Sequence, residues 1–373
     1  MNILFACGGT AGHVNPAVGL ANLFQKNRDD VHVIFVGAKG GMETRLVPKE
    51  GYAIKTVEIT NLHRSMKPKD ILHNIRTVGY MCKSRYQAGM ILNDFPPDLV
   101  VGTGGYASYP IVMAAAKRGI PTAVHESNAV PGLTTKALSK VVDCVMVGFP
   151  DSVDHYPDAK DVVVTGTPVR GEFFQYTREE ARKKLGFAED DERQLLLSYW
   201  GSLGASRMNE KMIDCMKKEC FEGAPFLHIH GAGRDYKSMR DTMASKGFVL
   251  GEKGIELKEY IYDMGVVMAA ADVVLCRAGA STIAEITALK KPSILVPSPN
   301  VTANHQEANA KVLADKGAAV MLLEEHCQEN TLYQTVEALM RETQRRENME
   351  KALAELAYDD PGEKIYQTLL SLL

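Results

Sequence analysis

The residues best suited to chemistry in this 373-residue chain stand at glycine-rich turns. "CGGTAGHVNP", Cys7 to Pro16, follows the apolar run "NILFA" and opens a segment of helical period. Glycines let a backbone approach a phosphate or sugar closely. A histidine stands in the first helical turn beyond them, and an imidazole, whose unperturbed pKa is near neutrality, suits the role of general base. The bland alternative is a tight turn carrying a surface histidine. A second stretch, "GTGGYA" from Gly102 to Ala107, matches the dinucleotide pattern GxGxxA, and Glu126 ends the next apolar run, where a ribose-binding acid would sit. That match follows the fourth strand candidate instead of the first, and Pro110 interrupts the helix that should follow.

The second half repeats the device. "WGSLGAS" offers Ser202 and backbone N–H groups to a phosphate. In "CRAGASTIAEITAL", Thr282 and Glu285 have the spacing of a capping box, so Glu285 either caps its own helix or binds a ribose diol. His305 and Gln306 enter a helix after a proline-rich strand end, where imidazole and amide groups could read sugar hydroxyls. No Walker A motif and no isolated DxD occurs, which disfavours a P-loop hydrolase and a metal held by paired aspartates. A leaving diphosphate would then depend on backbone N–H groups, helix ends and side chains such as Arg170. His228 and His230 of "HIHG" share a strand face without a third ligand at metal spacing, so no metal is expected.

These turns need elements to hold them. Short apolar runs alternate with longer helical segments, the pattern of parallel sheets flanked by helices. "NILFAC", "VHVIFVG", "YAIKTVEI", "DLVVGTG", "PTAVHE", "DCVMVG" and "DVVVTG" are strand candidates in the first half. "QLLLSYW", "FLHIHG", "IELKEYI", "DVVLCRAG", "PSILVPSP" and "AAVMLL" are those of the second. The expectation is two Rossmann-like domains, residues 1–168 and 169–354, with a final helix at about 355–373 crossing back to the first. The linker is expected near Gly166 to Phe173.

Composition narrows the class. A formal net charge of −3 provides no global basic field for nucleic acid. Seven scattered cysteines without a CxxC pair argue against a disulfide framework and fit a reducing cytoplasm. Neither a secretory signal nor a membrane span is expected. Residues 61–89 stand apart: Arg64, Lys67, Lys69, Arg76, Lys83 and Arg85 oppose the single acid Asp70, beside Ile71, Leu72, Ile75, Val78 and Met81 at helical spacing. That reads either as a surface docked on anionic lipid or as a core-facing stripe with a solvated basic face.

Eight motifs in order, "GGTAGHVNPA", "GTGGYASYP", "HESNAVPGLTTK", "TGTPVRGEF", "GSLGAS", "EYIYDM", "RAGASTIAE" and "NHQEANA", closely resemble the MurG-type glycosyltransferases of bacterial cell-wall synthesis. They run over nearly the whole chain. The resemblance implies an α/β GT-B architecture, two doubly wound domains facing across a deep cleft, the first toward acceptor and membrane, the second binding the UDP-sugar. It implies transfer of N-acetylglucosamine from UDP-N-acetylglucosamine to the C4 hydroxyl of lipid I, the undecaprenyl-diphosphate-linked N-acetylmuramoyl-pentapeptide. Lipid II would form with inversion, without a cofactor, at the cytoplasmic face of an anionic membrane.

By motif position the resemblance assigns Thr10, Ala11, Gly12, Asn128 and Arg170 to the donor side, Ser202 to the α-phosphate and Ile261 to the uracil. The run Ala280, Ser281, Thr282, Ile283, Ala284 and Glu285 would hold uridine, with Glu285 on the ribose, while His305 and Gln306 reach sugar hydroxyls. Gly104, Gly105 and Tyr106 would receive the acceptor diphosphate together with the first loop. His13 is then the expected general base and Glu126 the second candidate. Ala11 stands where the family often has glycine, and Trp200 where glycine usually precedes "GS", a change expected to alter packing beneath that loop. The rival classes are an NAD-dependent oxidoreductase built on "GTGGYA", a non-catalytic binding protein of the same fold, and a GT-B transferase with another acceptor.

Overall fold

A computed structural model describes residues 1–60, 68–201, 204–223, 226–248, 254–301, 304–328 and 330–373; over residues 68–78 it describes the backbone and, of the side chains, only Thr77. The chain divides into two compact units, Met1–Val169 with Tyr358–Leu373, and Arg170–Ala357.

In the first unit seven strands, β1 (Asn2–Ala6), β2 (His32–Ala38), β3 (Ala53–Val57), β4 (Leu99–Gly102), β5 (Thr122–Glu126), β6 (Cys144–Val147) and β7 (Val162–Val164), form one sheet in the order β3-β2-β1-β4-β5-β6-β7. Every pairing is parallel, with Phe5 opposite Phe35 on one side and Val101 on the other. Alternation along β1 sends Ile3, Phe5 and Cys7 into the core on one face and Leu4 and Ala6 into the core on the other. Sheets buried on both faces read as unbroken apolar runs, which is how β1 and β4 read. The last helix, Pro361–Leu370, lies against the Ala11–Asn27 helix, where Phe24 and Tyr366 meet edge to face at 4.7 Å.

In the second unit β8 (Gln194–Tyr199), β9 (Phe226–Gly231), β10 (Ile255–Lys258), β11 (Val273–Cys276), β12 (Ser293–Leu295) and β13 (Val320–Met321) form a parallel sheet in the order β10-β9-β8-β11-β12-β13. Methionines 208, 212, 216, 239, 243, 340 and 349 fill much of one core, with Trp200 among them. Both sheets reverse strand order beside their first strand, between β1 and β4 and between β8 and β11. Those reversal points are where open parallel sheets bind ligands.

Candidate active site

The first unit's two glycine turns flank its reversal point. Cys7 to Thr10 leave β1, and Ala11 begins a helix whose N-cap, Thr10, is extended and makes no side-chain cap. Thr103 to Ala107 leave β4. The turns interlock because glycine removes the atoms that would separate them. Gly105 is left-handed (φ +80°), and a Cβ there would overlap the Gly8 carbonyl oxygen. Gly104 (φ +106°) would bring a Cβ to 2.5 Å from His13 Nδ1. Gly12 needs no such explanation, since among the described residues only the Thr10 hydroxyl would lie near a Cβ there, at 3.6 Å.

His13 is half-buried in the first turn of its helix. Its Nδ1 lies 3.2 Å from the Thr103 carbonyl oxygen, and the Thr103 hydroxyl donates back to the His13 carbonyl at 2.7 Å. A carbonyl only accepts, so Nδ1 carries the proton and Nε2 is the basic nitrogen of that tautomer. Tyr106, beside Gly9, has its phenol pushed up by burial and then by the Glu43 carboxylate.

Glu126 ends β5 with its carboxylate engaged. Oε1 accepts from the Asn128 amide N–H (3.1 Å) and Nδ2 (2.8 Å), and Oε2 from the Gly132 N–H (2.9 Å). The acid is 3% exposed and staples the 127–132 loop together, with the Asn128 side chain as one of its donors.

In the second unit the Ala280–Ala288 helix starts at the other reversal point with Gly279, extended, as N-cap. Thr282 therefore lies inside the first turn and Glu285 a turn further on, so the capping-box alternative for this pair does not occur; a real one occurs at Thr177 and Glu180. The Glu285 carboxyl is pushed up to about 7, by burial first, with Arg170 opposing and Glu172 adding to the rise. Arg170 itself pairs with Glu172 at 3.0 Å, and its guanidinium lies 5.3 Å from the Phe173 ring centre. The Ser281 hydroxyl is buried without a hydrogen-bond partner among the described residues. Gln306 uses its Oε1 to accept from the Ser298 N–H (2.8 Å), which orients its amide nitrogen. His305 opens its helix after Asn304, which is left-handed (φ 52°), and Asn309 ties that helix to the Ala278 carbonyl at 3.1 Å.

Ile261 is buried against Gly231, while Tyr260 and Tyr262 beside it are exposed. Ser202 lies outside the described residues. Trp200, two residues earlier in the chain, is buried edge to face with His230 at 6.3 Å, and the Arg277 guanidinium lies 5.7 Å from its ring centre. His228 and His230 form a hydrogen-bonded chain. Ser198 Oγ is 2.6 Å from each ring, Glu219 lies 2.8 Å from His228 Nδ1, and Asn209 3.1 Å from His230 Nε2. Among the described residues no cluster is arranged to hold a metal.

Sequence reasoning passed over Thr103 and Glu43. Glu43 is fully buried beneath the first loop, and its only sequence signal is an acid between glycines and a helix, in "GAKGGMET". Of the basic segment, Arg64 and Lys67 lie outside the described residues, as do the side chains of Lys69, Ile71, Leu72, Ile75, Arg76 and Val78. The Pro68–Asp94 helix exposes Tyr80, Met81, Tyr86 and Met90, with Arg85 and Lys83 also exposed and Lys83 paired to Glu58. No helix among the described residues is long and apolar enough to cross a membrane.

Family models match in two blocks, the glycosyltransferase family 28 N-terminal domain over residues 3–147 and its C-terminal domain over residues 199–360. A protein of Thermoanaerobacter sp. is 40% identical, covering 100% of both chains, and one of Acetivibrio thermocellus is 38% identical over 100% of this chain and 98% of its own. Each is named UDP-N-acetylglucosamine--N-acetylmuramyl-(pentapeptide) pyrophosphoryl-undecaprenol N-acetylglucosamine transferase. The crystal structure of Acinetobacter baumannii MurG superposes with a TM-score of 0.75 at 28% identity over 99% of each chain.

Proposed function

This chain belongs to glycosyltransferase family 28, and from that membership we propose how it works as an N-acetylglucosaminyltransferase. It moves N-acetylglucosamine from UDP-N-acetylglucosamine to N-acetylmuramoyl-pentapeptide diphospho-undecaprenol, the reaction for which its full-length relatives are named. The acceptor's C4 oxygen attacks the anomeric carbon. The bond from that carbon to the β-phosphate oxygen breaks with its electron pair leaving on UDP, so the configuration inverts. The proton of the attacking hydroxyl goes to Nε2 of His13.

The observation that carries this reading is the His13 tautomer, set by the Thr103 carbonyl at 3.2 Å inside the interlocked glycine turns. Those turns, with Gly104, Gly105 and Tyr106, receive the acceptor diphosphate; Thr10, Ala11 and Gly12 line the sugar side. Glu126 is assigned to holding Asn128 and its loop in place, because three N–H groups already claim its oxygens. On the second unit the Ala280–Glu285 turn holds uridine, with Glu285 on the ribose diol and the Ile261 backbone on the uracil. Arg170 and Ser202 meet the diphosphate, and His305 and Gln306 the sugar hydroxyls.

The acceptor is lipid-borne, and the exposed Tyr80, Met81, Tyr86 and Met90 beside Lys83 and Arg85 support docking on the cytoplasmic face of an anionic membrane. Reversing the charges of Lys67, Lys69 and Arg76 should reduce binding to anionic vesicles, and unchanged binding would remove the docking claim. The test of function is UDP release from UDP-N-acetylglucosamine with and without a soluble lipid I analogue, in EDTA. Acceptor-dependent release supports a metal-independent transferase. Tight donor binding without release would contradict it.

A further inference from the structure

Beneath the first glycine turn lies a carboxylate that the reaction scheme does not use. Glu43 begins the Glu43–Lys49 helix after β2 and has no exposed surface. Its Oε1 accepts from the Ala38 N–H at 2.7 Å and its Oε2 from the Gly9 N–H at 3.3 Å. Three glycines clear the space it fills. A Cβ on Gly8 would lie 2.6 Å from Oε1, and one on Gly37 or Gly41 would overlap the Glu43 side chain. A buried carboxyl group is tolerated only where such hydrogen-bond partners are supplied, so this arrangement is built to hold an acid.

What the acid touches matters more than its burial. The Gly8–Gly9 peptide gives its N–H to Glu43, while its carbonyl oxygen lies where a side chain on Gly105 would have to go. Gly104, next to Gly105, in turn abuts the His13 ring. One peptide plane thus links the buried carboxylate to both glycine turns and to the base. If that plane rotates, the spacing between the turns and the seat of the imidazole change together.

We propose that Glu43 is a positioning residue for the acceptor half of the reaction, fixing the Gly8–Gly9 peptide so that the two glycine turns and His13 keep their spacing. This rests on the function proposed above. Gln is nearly isosteric with Glu but can offer only one accepting oxygen to the two N–H groups.

The experiment is steady-state kinetics of the full-length chain and its E43Q, E43D and G37A variants, with UDP-N-acetylglucosamine and a soluble lipid I analogue varied separately. UDP affinity and hydrogen exchange at the Gly9 amide are measured alongside. We expect E43Q to lower kcat/KM for the acceptor at least tenfold and to speed Gly9 exchange, with UDP affinity within twofold of the parent and partial recovery in E43D. G37A, which keeps the charge but displaces it, should show the same acceptor-selective loss, and decides the matter if E43Q does not fold. Acceptor kcat/KM within twofold of the parent, unchanged Gly9 exchange, or an equal loss of UDP affinity would each overturn the proposal. Absence of transfer by the parent chain would instead strike the functional reading, and Gly9 exchange would still decide whether Glu43 holds that peptide.

Discussion

His13 and Glu285 carry the two most direct predictions at the scale of single residues. His13→Ala should lower kcat roughly 100- to 10,000-fold, the span typical of losing a general base, and leave UDP affinity unchanged. A near-normal kcat would reassign the base. For Glu285, an ionised carboxylate can accept from both hydroxyls of a ribose diol, and its pKa of about 7 means the proton returns as pH falls below neutrality. Donor KM should therefore rise from pH 8 to pH 6, and Glu285→Gln should flatten that dependence while weakening UDP binding about tenfold or more. Because the folded value lies above the ordinary 4.5, this group costs the unliganded fold stability as pH rises from about 4.5 to 7, and the glutamine variant should lack that loss. His13's place in the first helical turn was readable from a strand, a glycine turn and a helix in succession. Its tautomer was not, because Thr103 lies 90 residues away. Glu43 stayed hidden for the same reason, since an acid opening a helix already satisfies the helix dipole and gives no sign of Gly9.

At the scale of elements, all thirteen apolar runs picked from the sequence form strands, down to the two residues of β13. Parallel strands buried on both faces are unbroken apolar segments, so periodicity and flanking glycines suffice to find them. Which turns sit together follows from strand order, and that order is a long-range fact no local pattern carries. The interlock of the turns leads to a sharp prediction. Gly105→Ala would force a Cβ into the Gly8 carbonyl at a left-handed φ of +80°, so acceptor turnover should collapse while UDP binding, which we propose for the second unit, should persist. Loss of both together, followed by calorimetry with UDP, would mean the change had unfolded more than a turn.

For the whole molecule, buried acids set the alkaline limit. Burial pushes up the thiols of Cys7, Cys144, Cys215, Cys276 and Cys327, and the phenols of Tyr156, Tyr199 and Tyr333. Each keeps its proton in the fold after the unfolded chain has released it, so the contribution of these groups is intact below about pH 9 and declines as pH rises above it. Lys291, lowered to about 8 by burial, works the other way but is a single group. A urea midpoint that holds steady from pH 8 to pH 10.5 would contradict this balance. Deleting residues 358–373 should be more drastic. Ile365, Tyr366 and Leu369 are buried in the core of the first unit, and losing them costs about 1.5–3 kcal/mol each. That sum rivals the roughly 5–15 kcal/mol that holds an ordinary domain together. Proteolysis should digest the first unit of such a truncated chain and leave the second protected; protection of both would show the helix to be dispensable.

That returning helix also sets a clock on synthesis. The first unit begins at Met1 but is finished by residues that follow Ala357, so its N-terminal part must wait while the whole of Arg170–Ala357 is made. At about 5–20 residues per second, the wait is on the order of 10–40 seconds on the ribosome. Throughout it, Phe24 lacks the Tyr366 ring that will pack against it. The nascent chain therefore passes through an obligatory interval as a client for whatever holds sticky, half-made domains, and the codons for Tyr358–Leu373 are the ones that end it.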